Sequence, residues 1–464
     1  MSAFVLADFG STFTKVRLVD RAEGRLLARA EAPTTVGADL MDGYAEALAA
    51  ARSGLDEAVE IEAEIAASSA GGGLRVAAIG LVADLTAAAA RQTALNAGAR
   101  VGVVLAGELD AEQLTRLDAA APEIVLFAGG TDGGQRELVL ANARRLAGHG
   151  LAARVVVACN AAIAEEVAAL FEAAGIAATV AANVMPALGQ LEIEPAREAI
   201  SAAFLEHVIG GKGLSASPEF ARMVRMPTPE AVLTATRLLS RGTGQRGGVG
   251  DVLVVDVGGA TTDVHSDRAA QPATPGIEEP LLPAPLTLRT VEGDLGLRAG
   301  APGVVAADRG WLARRLEGGE EAELDRAGAD RAKRPAWVPE SVADAHFDRL
   351  LATACVAHGL DRHCGTMLLS RSAKGPPTLV REGPDLREVS RVIGTGGVFA
   401  HGKGGEEVLR DGLERRSPRS LSPREPKIAI DRGYILAAAG LLASIDPEAA
   451  FRLLQREVLD CVQA

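Results

Sequence analysis

The sequence predicts an α/β protein built as two related halves around a cleft, and three observations predict it. Short apolar runs alternate with Ala-rich helical stretches, the pattern of sheets joined by helical crossovers. The 464 residues exceed one hydrophobic core of ordinary size, so two or more domains are expected and a cleft between them is available. One local plan also occurs twice, as LADFGSTFTKVRLVD from Leu6 and as VVDVGGATTDVHS from Val254. Each copy has an apolar strand, Asp, one apolar residue, Gly, a small hydroxyl-rich turn and a second strand.

Composition limits the partners. Apolar residues make up 48% and charged residues 23% of the chain, the balance of a globular protein. A net charge of -13 speaks against non-specific binding to nucleic acid, which selects clustered Lys and Arg. It does not exclude a nucleotide, because backbone N–H groups, one Lys and Mg2+ supply positive potential locally. Cys159, Cys355, Cys364 and Cys461 are sparse and unevenly spaced, which fits a reducing compartment better than a disulfide framework. The opening MSAFVLADFG lacks the basic and long apolar regions of a signal peptide. ILAAAGLLASI from Ile435 falls short of the roughly 18 residues that span a bilayer. A cytoplasmic location with no membrane partner is the expectation.

Along the chain, residues 4–7, 15–20 and 25–32 read as a three-stranded meander. Strand-like runs at 74–82, 101–106, 124–128, 154–158 and 178–181 then alternate with helical patterns. Helices are expected at 194–209 and 229–241, followed by a Gly-rich break at 242–250. Strands at 251–256 and 261–266 open a second meander, and a strand at 389–393 precedes a helix near Gly396 and helices at 434–444 and 447–462. This divides the chain into residues 1–66, the first part of an N-terminal domain; 67–190, an inserted or elaborated α/β module; 191–250, a helical connection; and 251–464, a C-terminal domain. The Pro-rich stretch 271–285 and the charged stretch 315–335 read as surface excursions.

The two hairpins carry the chemistry. Gly10 lets the backbone approach an anion, while Ser11, Thr12 and Thr14 offer hydroxyls to phosphate oxygens. Asp8 is anionic like a phosphate, so its natural role is to hold Mg2+ through water, and Lys15 would neutralise part of a phosphate tail. Asp256, Gly258, Gly259, Thr261, Thr262 and Asp263 repeat the plan. A single D-x-G turn is common, but two such hairpins across a cleft can grip a triphosphate from opposite sides.

Other clusters are less specific. In VIGTGGVFAH, Gly394, Thr395, Gly396 and Gly397 follow a strand and open a helix, where a turn can press against a nucleoside. LFAGGTDGG holds Thr131 and Asp132 between Gly pairs; Asp132 is a candidate for a metal-side carboxylate or a water-positioning group, and the segment reads equally well as a loop of a separate α/β module. Glu292 and Asp294 in TVEGDLG are candidates to polarise water, or ordinary solvated turn residues. CVAHGLDRHC mixes Cys355, His358, His363 and Cys364 at a spacing that matches no standard zinc site. No nucleophile and base are paired as a hydrolytic triad requires.

Two D-x-G hairpins and a late GTGG turn resemble the superfamily of actin, the sugar kinases and the heat-shock chaperone ATPases. The resemblance implies two actin-like (ribonuclease H-like) domains around a nucleotide cleft, binding ATP or ADP with Mg2+ as cofactors. Within that superfamily ASSAGGGLRVAAIGLV, LFAGGTDGG, NVMP, EPAREAI, TVEGDLGLR and VIGTGGVFAHG look like the MutL family associated with glutamate mutase, also called GlmL, over nearly all the chain. It is distinct from the mismatch-repair protein of the same name. The family is thought to reactivate adenosylcobalamin-dependent mutases at the expense of ATP, prying subunits apart so that damaged cobalamin leaves. By this resemblance Asp8, Gly10, Ser11, Thr12 and Lys15 form the first phosphate loop. Asp256, Gly258, Gly259, Thr261 and Thr262 form the second, and Gly394, Gly396 and Gly397 the adenosine loop. Cys364 departs from the Ala expected in an RHAGT-like string, as do the insertions near Gln271 and at 315–335.

Three alternatives stay open. A small-molecule kinase of the same fold would need a substrate pocket and a base that the sequence does not single out. An iron-sulfur ATPase would need cluster-ligating cysteines that this set does not suggest. A filament or scaffold protein would bind nucleotide without hydrolysing it. Client mutase, catalytic base and oligomeric state are not specified by the sequence.

Overall fold

The computed structural model describes residues 2–35, 38–55, 59–70, 74–211, 213–272, 274–316, 321–370 and 377–459. Cys461 lies outside them, as does the last part of the helix expected to reach residue 462.

The first half opens with an antiparallel meander, β1 (Ser2–Phe9), β2 (Phe13–Asp20) and β3 (Leu26–Pro33). Helix α1 (Leu40–Ser53) follows, its N-terminus capped by Asp39, which accepts from Met41 N at 2.9 Å. Strand β4 (Glu60–Ser68) then lies parallel to β1. On β1, Val5, Ala7 and Phe9 point into one core and Phe4 and Leu6 into another. Burial on both faces is why this strand reads as an unbroken apolar run.

A second unit interrupts the first. Its elements are β5 (Arg75–Gly80), α2 (Ala88–Asn96), β6 (Arg100–Ala106), α3 (Ala111–Ala120), β7 (Ile124–Gly129), α4 (Glu137–His149), β8 (Arg154–Cys159), α5 (Ala164–Ala173) and β9 (Ala178–Val180). The strands form a wholly parallel sheet in the order β6-β5-β7-β8-β9, a doubly wound arrangement. The chain returns through α6 (Glu194–Gly211) and α7 (Pro218–Met223) to β10 (Val224–Pro227), which pairs in parallel with β4. Helix α8 (Thr228–Arg241) leaves from β10. The first sheet therefore has the order β10-β4-β1-β2-β3.

The second half repeats this path. Strands β11 (Val252–Val257) and β12 (Thr262–Asp267) form the hairpin, β13 (Ile277–Glu278) belongs to a satellite sheet, and β14 (Thr287–Glu292) completes the meander. Helices α9 (Ala301–Arg315), α10 (Glu321–Ala332) and α11 (Val342–His363) follow. Strands β15 (Thr366–Ser370) and β16 (Thr378–Glu382) join β13. The main sheet continues with β17 (Arg391–Thr395), helices α12 (Gly397–Ala400) and α13 (Gly405–Glu414), and β18 (Lys427–Ile430). Helices α14 (Ile435–Leu442) and α15 (Pro447–Leu454) close the described chain. The order β18-β17-β11-β12-β14 matches the first sheet strand for strand, with the same antiparallel meander and the same two parallel neighbours. This duplicated topology is the actin-like fold.

The halves share a core. Phe4, Leu6, Val19 and Ile65 of the first sheet and Val252, Val254 and Ile393 of the second pack with Val232, Ala235 and Leu239 of α8 and Ile435, Leu436 and Ala439 of α14. Helices α8 and α14 occupy equivalent positions after the last strand of each sheet and run against one another. The inserted unit faces this assembly through the core that Val76, Ala78, Leu126 and Val156 share with Val5, Phe9, Ile200 and Phe204.

The expectation for 315–335 is corrected. Helix α10 occupies much of that stretch and packs on α9 with Leu324, Gly328 and Arg331 buried. Its inward stripe is made of one Leu, a Gly and an Arg, so the usual apolar periodicity is absent from the sequence. Among the described residues, no helix is long and apolar enough to cross a membrane.

Candidate functional site

The turns of the two hairpins close in the same way. Gly10 N donates to Phe13 O at 3.2 Å and Gly258 N to Thr261 O at 2.9 Å. In each hairpin the Asp is the penultimate residue of β1 or β11, in matching register, with Asp8 opposite Lys15 and Asp256 opposite Asp263. The strand beside each Asp in the parallel direction carries Ala67 in the first half and Thr395 in the second.

Asp8 has two partners. Lys15 Nζ lies 3.2 Å from its Oδ2, and the Thr228 hydroxyl, at the first residue of α8, donates to its Oδ1 at 2.6 Å. Asp256 has acidic surroundings instead. Burial raises its carboxyl to about 7, Asp263, Asp8 and Asp431 push in the same direction, and Lys15 opposes them. The two Asp residues and Lys15 thus belong to one electrostatic group, although Asp8 and Asp256 come from different halves.

The third Gly cluster abuts the second hairpin. Gly396 adopts a positive φ of 106°, and a side chain there would collide with the Val257 carbonyl and approach Asp256 Oδ1 to 3.1 Å. Next to it, a methyl group on Gly397 would stand 3.4 Å from the Tyr434 hydroxyl. Lys15 Nζ lies over the Tyr434 ring, 4.7 Å from its centroid. Hairpin one, hairpin two and the 394–397 turn therefore meet at one place.

Several expected residues do not present side chains to that place. Thr14 is fully buried and its hydroxyl is shared with Thr34 at 3.2 Å, because strand alternation turns it away from Lys15. Thr262 is likewise fully buried and donates to Leu295 O at 3.0 Å. Thr395 donates to Asp431 Oδ2 at 3.1 Å, and Gly394 packs against Phe399 and Leu409. Thr261 donates to Asp263 Oδ2 at 3.1 Å. Ser11 and Gly259 are exposed at the tips of the turns and Thr12 is half-buried.

The candidate water-activating carboxylates are engaged elsewhere. Asp132 Oδ1 accepts from Ala161 N at 2.9 Å and Asn183 Nδ2 at 2.8 Å, which staples the loops at the carboxyl edge of the inserted sheet. Arg362 grips Glu292 at 2.8 Å and Asp294 at 2.6 and 2.9 Å. His363 at the end of α11 has structural partners as well. His363 bridges the Ser266 and Thr290 hydroxyls at 2.8 and 2.9 Å, and burial lowers its pKa to about 3. Burial raises the Cys355 thiol to about 12 and pushes up Cys364 further.

Sequence reasoning missed Thr228, Asp431 and Tyr434. Thr228 opens α8 directly after the four-residue strand β10, which carries no motif. Asp431 is buried and accepts from Ile435 N and Leu436 N at 2.7 and 3.0 Å, fixing the start of α14. One signal could have found it: Ile428 to Asp431 repeats the pattern of an apolar strand ending in Asp.

The residues fit a hydrated divalent cation beside a phosphate tail. An acidic excess around Asp256 is poorly balanced by Lys15, as an incoming cation requires. Among the described residues no group of three or more His, Cys, Asp or Glu forms a metal cage.

The chain is similar to known proteins over nearly its whole length. Protein MutL of Clostridium tetanomorphum is 39% identical over 460 residues, covering 98% of this chain and 99% of that one. Among solved structures, nucleotide-free acetone carboxylase aligns with 95% of this chain and 70% of its own at 13% identity and a TM-score of 0.39. Nucleotide-free diol dehydratase-reactivating factor aligns with 96% and 99% at 13% identity and a TM-score of 0.35. The family described as MutL protein matches residues 4–458, and the chain belongs to it.

Proposed function

We propose that the chain is an ATPase that binds Mg-ATP between its two hairpins and uses the nucleotide state to remodel a partner protein. The observation that carries this reading is the meeting of Asp8, Lys15, Asp256 and Gly396 from three separate loops, with the two Asp residues in equivalent register. Asp8 and Asp256 would hold Mg2+ through water, and the ion would neutralise the phosphates. Lys15 and the turn amides of residues 10–12 and 258–261 would orient the phosphate tail. Gly396 and Gly397 would admit the nucleoside. Thr14 and Thr262 would support these turns from behind.

Helices α8 and α14 offer a route from the cleft to the partner. Helix α8 starts at Thr228, the partner of Asp8, and α14 starts at amides held by Asp431, which also accepts from Thr395 beside Asp256; the two helices share the core between the halves. Different affinities for the ATP and ADP states would shift the populations of open and closed clefts and so the grip on a partner. Membership of the MutL family favours an adenosylcobalamin-dependent mutase of the glutamate mutase or aminomutase type as that partner, with release of damaged cobalamin as the outcome. A cytoplasmic setting is part of this proposal.

A small-molecule kinase is less well supported, because Glu292 and Asp294 are held by Arg362 and Asp132 by module amides. The test is functional rescue. Adding the chain with Mg-ATP to a cobalamin-inactivated mutase should restore turnover, and Asp256→Ala should abolish the effect. No rescue with any mutase encoded nearby would remove the reactivating reading.

A further inference from the structure

Tyr434 stands where the site and the seam helices meet. Its backbone is left-handed, with φ 51° and ψ 43°, a conformation unfavourable for a bulky residue. The surroundings hold it there. Asp431 bonds the first amides of α14, buried Arg17 donates Nε to Gly433 O at 2.7 Å, and Arg29 reaches Arg432 O at 3.3 Å. A non-glycine residue kept in that region by so many bonds is a constraint with a purpose, since Gly or Asn would fit without strain.

The side chain links two parts of the cleft. One face of the ring lies under the Lys15 ammonium at 4.7 Å, with the Arg17 guanidinium at 6.0 Å. The hydroxyl points at Gly397 in the third turn, and His401 from the end of α12 lies 5.7 Å away, ring to ring. Burial, followed by Glu31, Asp256 and Asp431, holds the phenol well above its usual range, so it remains a neutral donor. Lys15 is thus held between a carboxylate at 3.2 Å and an aromatic face, and both holders are anchored at seam helices: Asp8 through Thr228 on α8, and Tyr434 at the head of α14.

We infer that Tyr434 is a positioning residue that holds Lys15 at the centre of the cleft and passes nucleotide occupancy to the seam between α8 and α14. This rests on the nucleotide reading of the site. A phosphate that draws Lys15 from Asp8 must also draw it across the Tyr434 face. The ring cannot follow without moving the head of α14, because the turn 431–434 is bonded to that helix. Helix α14 packs on α8 at Gly440, where even a methyl group would collide with the Ala231 carbonyl. Contact that close leaves the seam no slack, so displacement at the head of α14 becomes sliding against α8.

The experiment compares wild type, Tyr434→Phe and Tyr434→Leu for Mg-ATP affinity by calorimetry and for nucleotide-induced protection of amide hydrogens in α8 and α14. Tyr434→Leu should weaken Mg-ATP by about tenfold, in line with the loss of a desolvated cation–π contact. At saturating nucleotide it should lose the protection of α8 that wild type gains. Tyr434→Phe keeps the ring and should recover both to within about threefold. A merely structural role would lower stability without separating saturated binding from protection, and Tyr434→Leu with wild-type affinity and protection overturns the inference. Failure of wild type to bind Mg-ATP in the same assay removes the nucleotide reading and this inference together, which is a distinguishable result.

Discussion

The Thr228 hydroxyl donates to Asp8 Oδ1 at 2.6 Å across 220 residues of sequence, joining the first hairpin to the first residue of α8. A hydrogen bond to an ionised group contributes about 1.5–3 kcal/mol. Asp8 keeps Lys15 as its second partner, so removing the hydroxyl leaves the carboxylate paired, and the lower end of that range applies.

Thr228→Val is therefore expected to lower the urea midpoint by the equivalent of about 1.5 kcal/mol and to weaken Mg-ATP binding several-fold. Thr228→Ser should retain both. Loss in the Ser variant with retention in the Val variant would show that the methyl group matters and the hydroxyl does not.

Asp256 supplies the clearest pH dependence of the candidate site. Its native pKa, raised to about 7, exceeds the ordinary value of 3.8, so the folded chain binds the proton more tightly than the unfolded chain. Between those values the native state carries more protons, and this group makes stability fall as pH rises. Asp256→Asn should accordingly raise the melting temperature of the nucleotide-free protein at pH 8, with the difference shrinking toward pH 5. The same variant should lose at least tenfold in Mg-dependent ATP affinity. A melting difference that grows on acidification would contradict the sign.

Much of this arrangement was legible in the sequence because it rests on local rules. A D-x-G turn between apolar strands has few ways to fold, and its repetition at Asp8 and Asp256 announced the duplicated meander. The inserted parallel sheet declared itself through apolar runs at Val76, Val125 and Val156 that are buried on both faces. What the sequence hid is non-local. Whether a Thr faces the cleft depends on strand phase, and Thr14 and Thr262 lie on the core side of Lys15 and Asp263. Thr228 and Tyr434 gain their positions only when β10 and β18 join their sheets; β10 carries no motif, and the pattern of β18 marks Asp431 and not Tyr434. Glu292 and Asp294 looked free until α11 brought Arg362 to them.

The seam helices are packed so closely that size is the controlling variable. Gly440→Ala forces its methyl group into the Ala231 carbonyl, an overpacking cost of about 1–3 kcal/mol. The expected result is a lower melting temperature together with reduced stimulation by nucleotide of any partner-dependent activity. Ala438→Gly, on the same helix at another buried position, should cost about 1 kcal/mol through helix propensity and cavity, without affecting the response to nucleotide. Equal effects of both variants on the nucleotide response would argue against sliding at Gly440.

His265 is the second half's acid-sensitive residue. It is fully buried on β12, neither ring nitrogen has a hydrogen-bond partner, and burial, then Arg289 and His363, hold its pKa well below 6.5. The native ring stays neutral as pH falls, whereas in the unfolded chain it takes a proton near pH 6.5. Its contribution is thus intact above that value and is lost progressively below it, by roughly 1.4 kcal/mol for each pH unit. His363 acts in the same direction between 6.5 and about 3, and Asp256 opposes both between about 4 and 7. His265→Leu removes one of these protons and also an unsatisfied polar group, so at pH 7.5 its stability should equal or exceed that of wild type. Between pH 6 and 5 its loss of stability should be smaller than that of wild type by about 1.4 kcal/mol. Urea melts at three pH values measure both, and parallel curves for the two proteins would mean that the His265 ring is protonated in the fold.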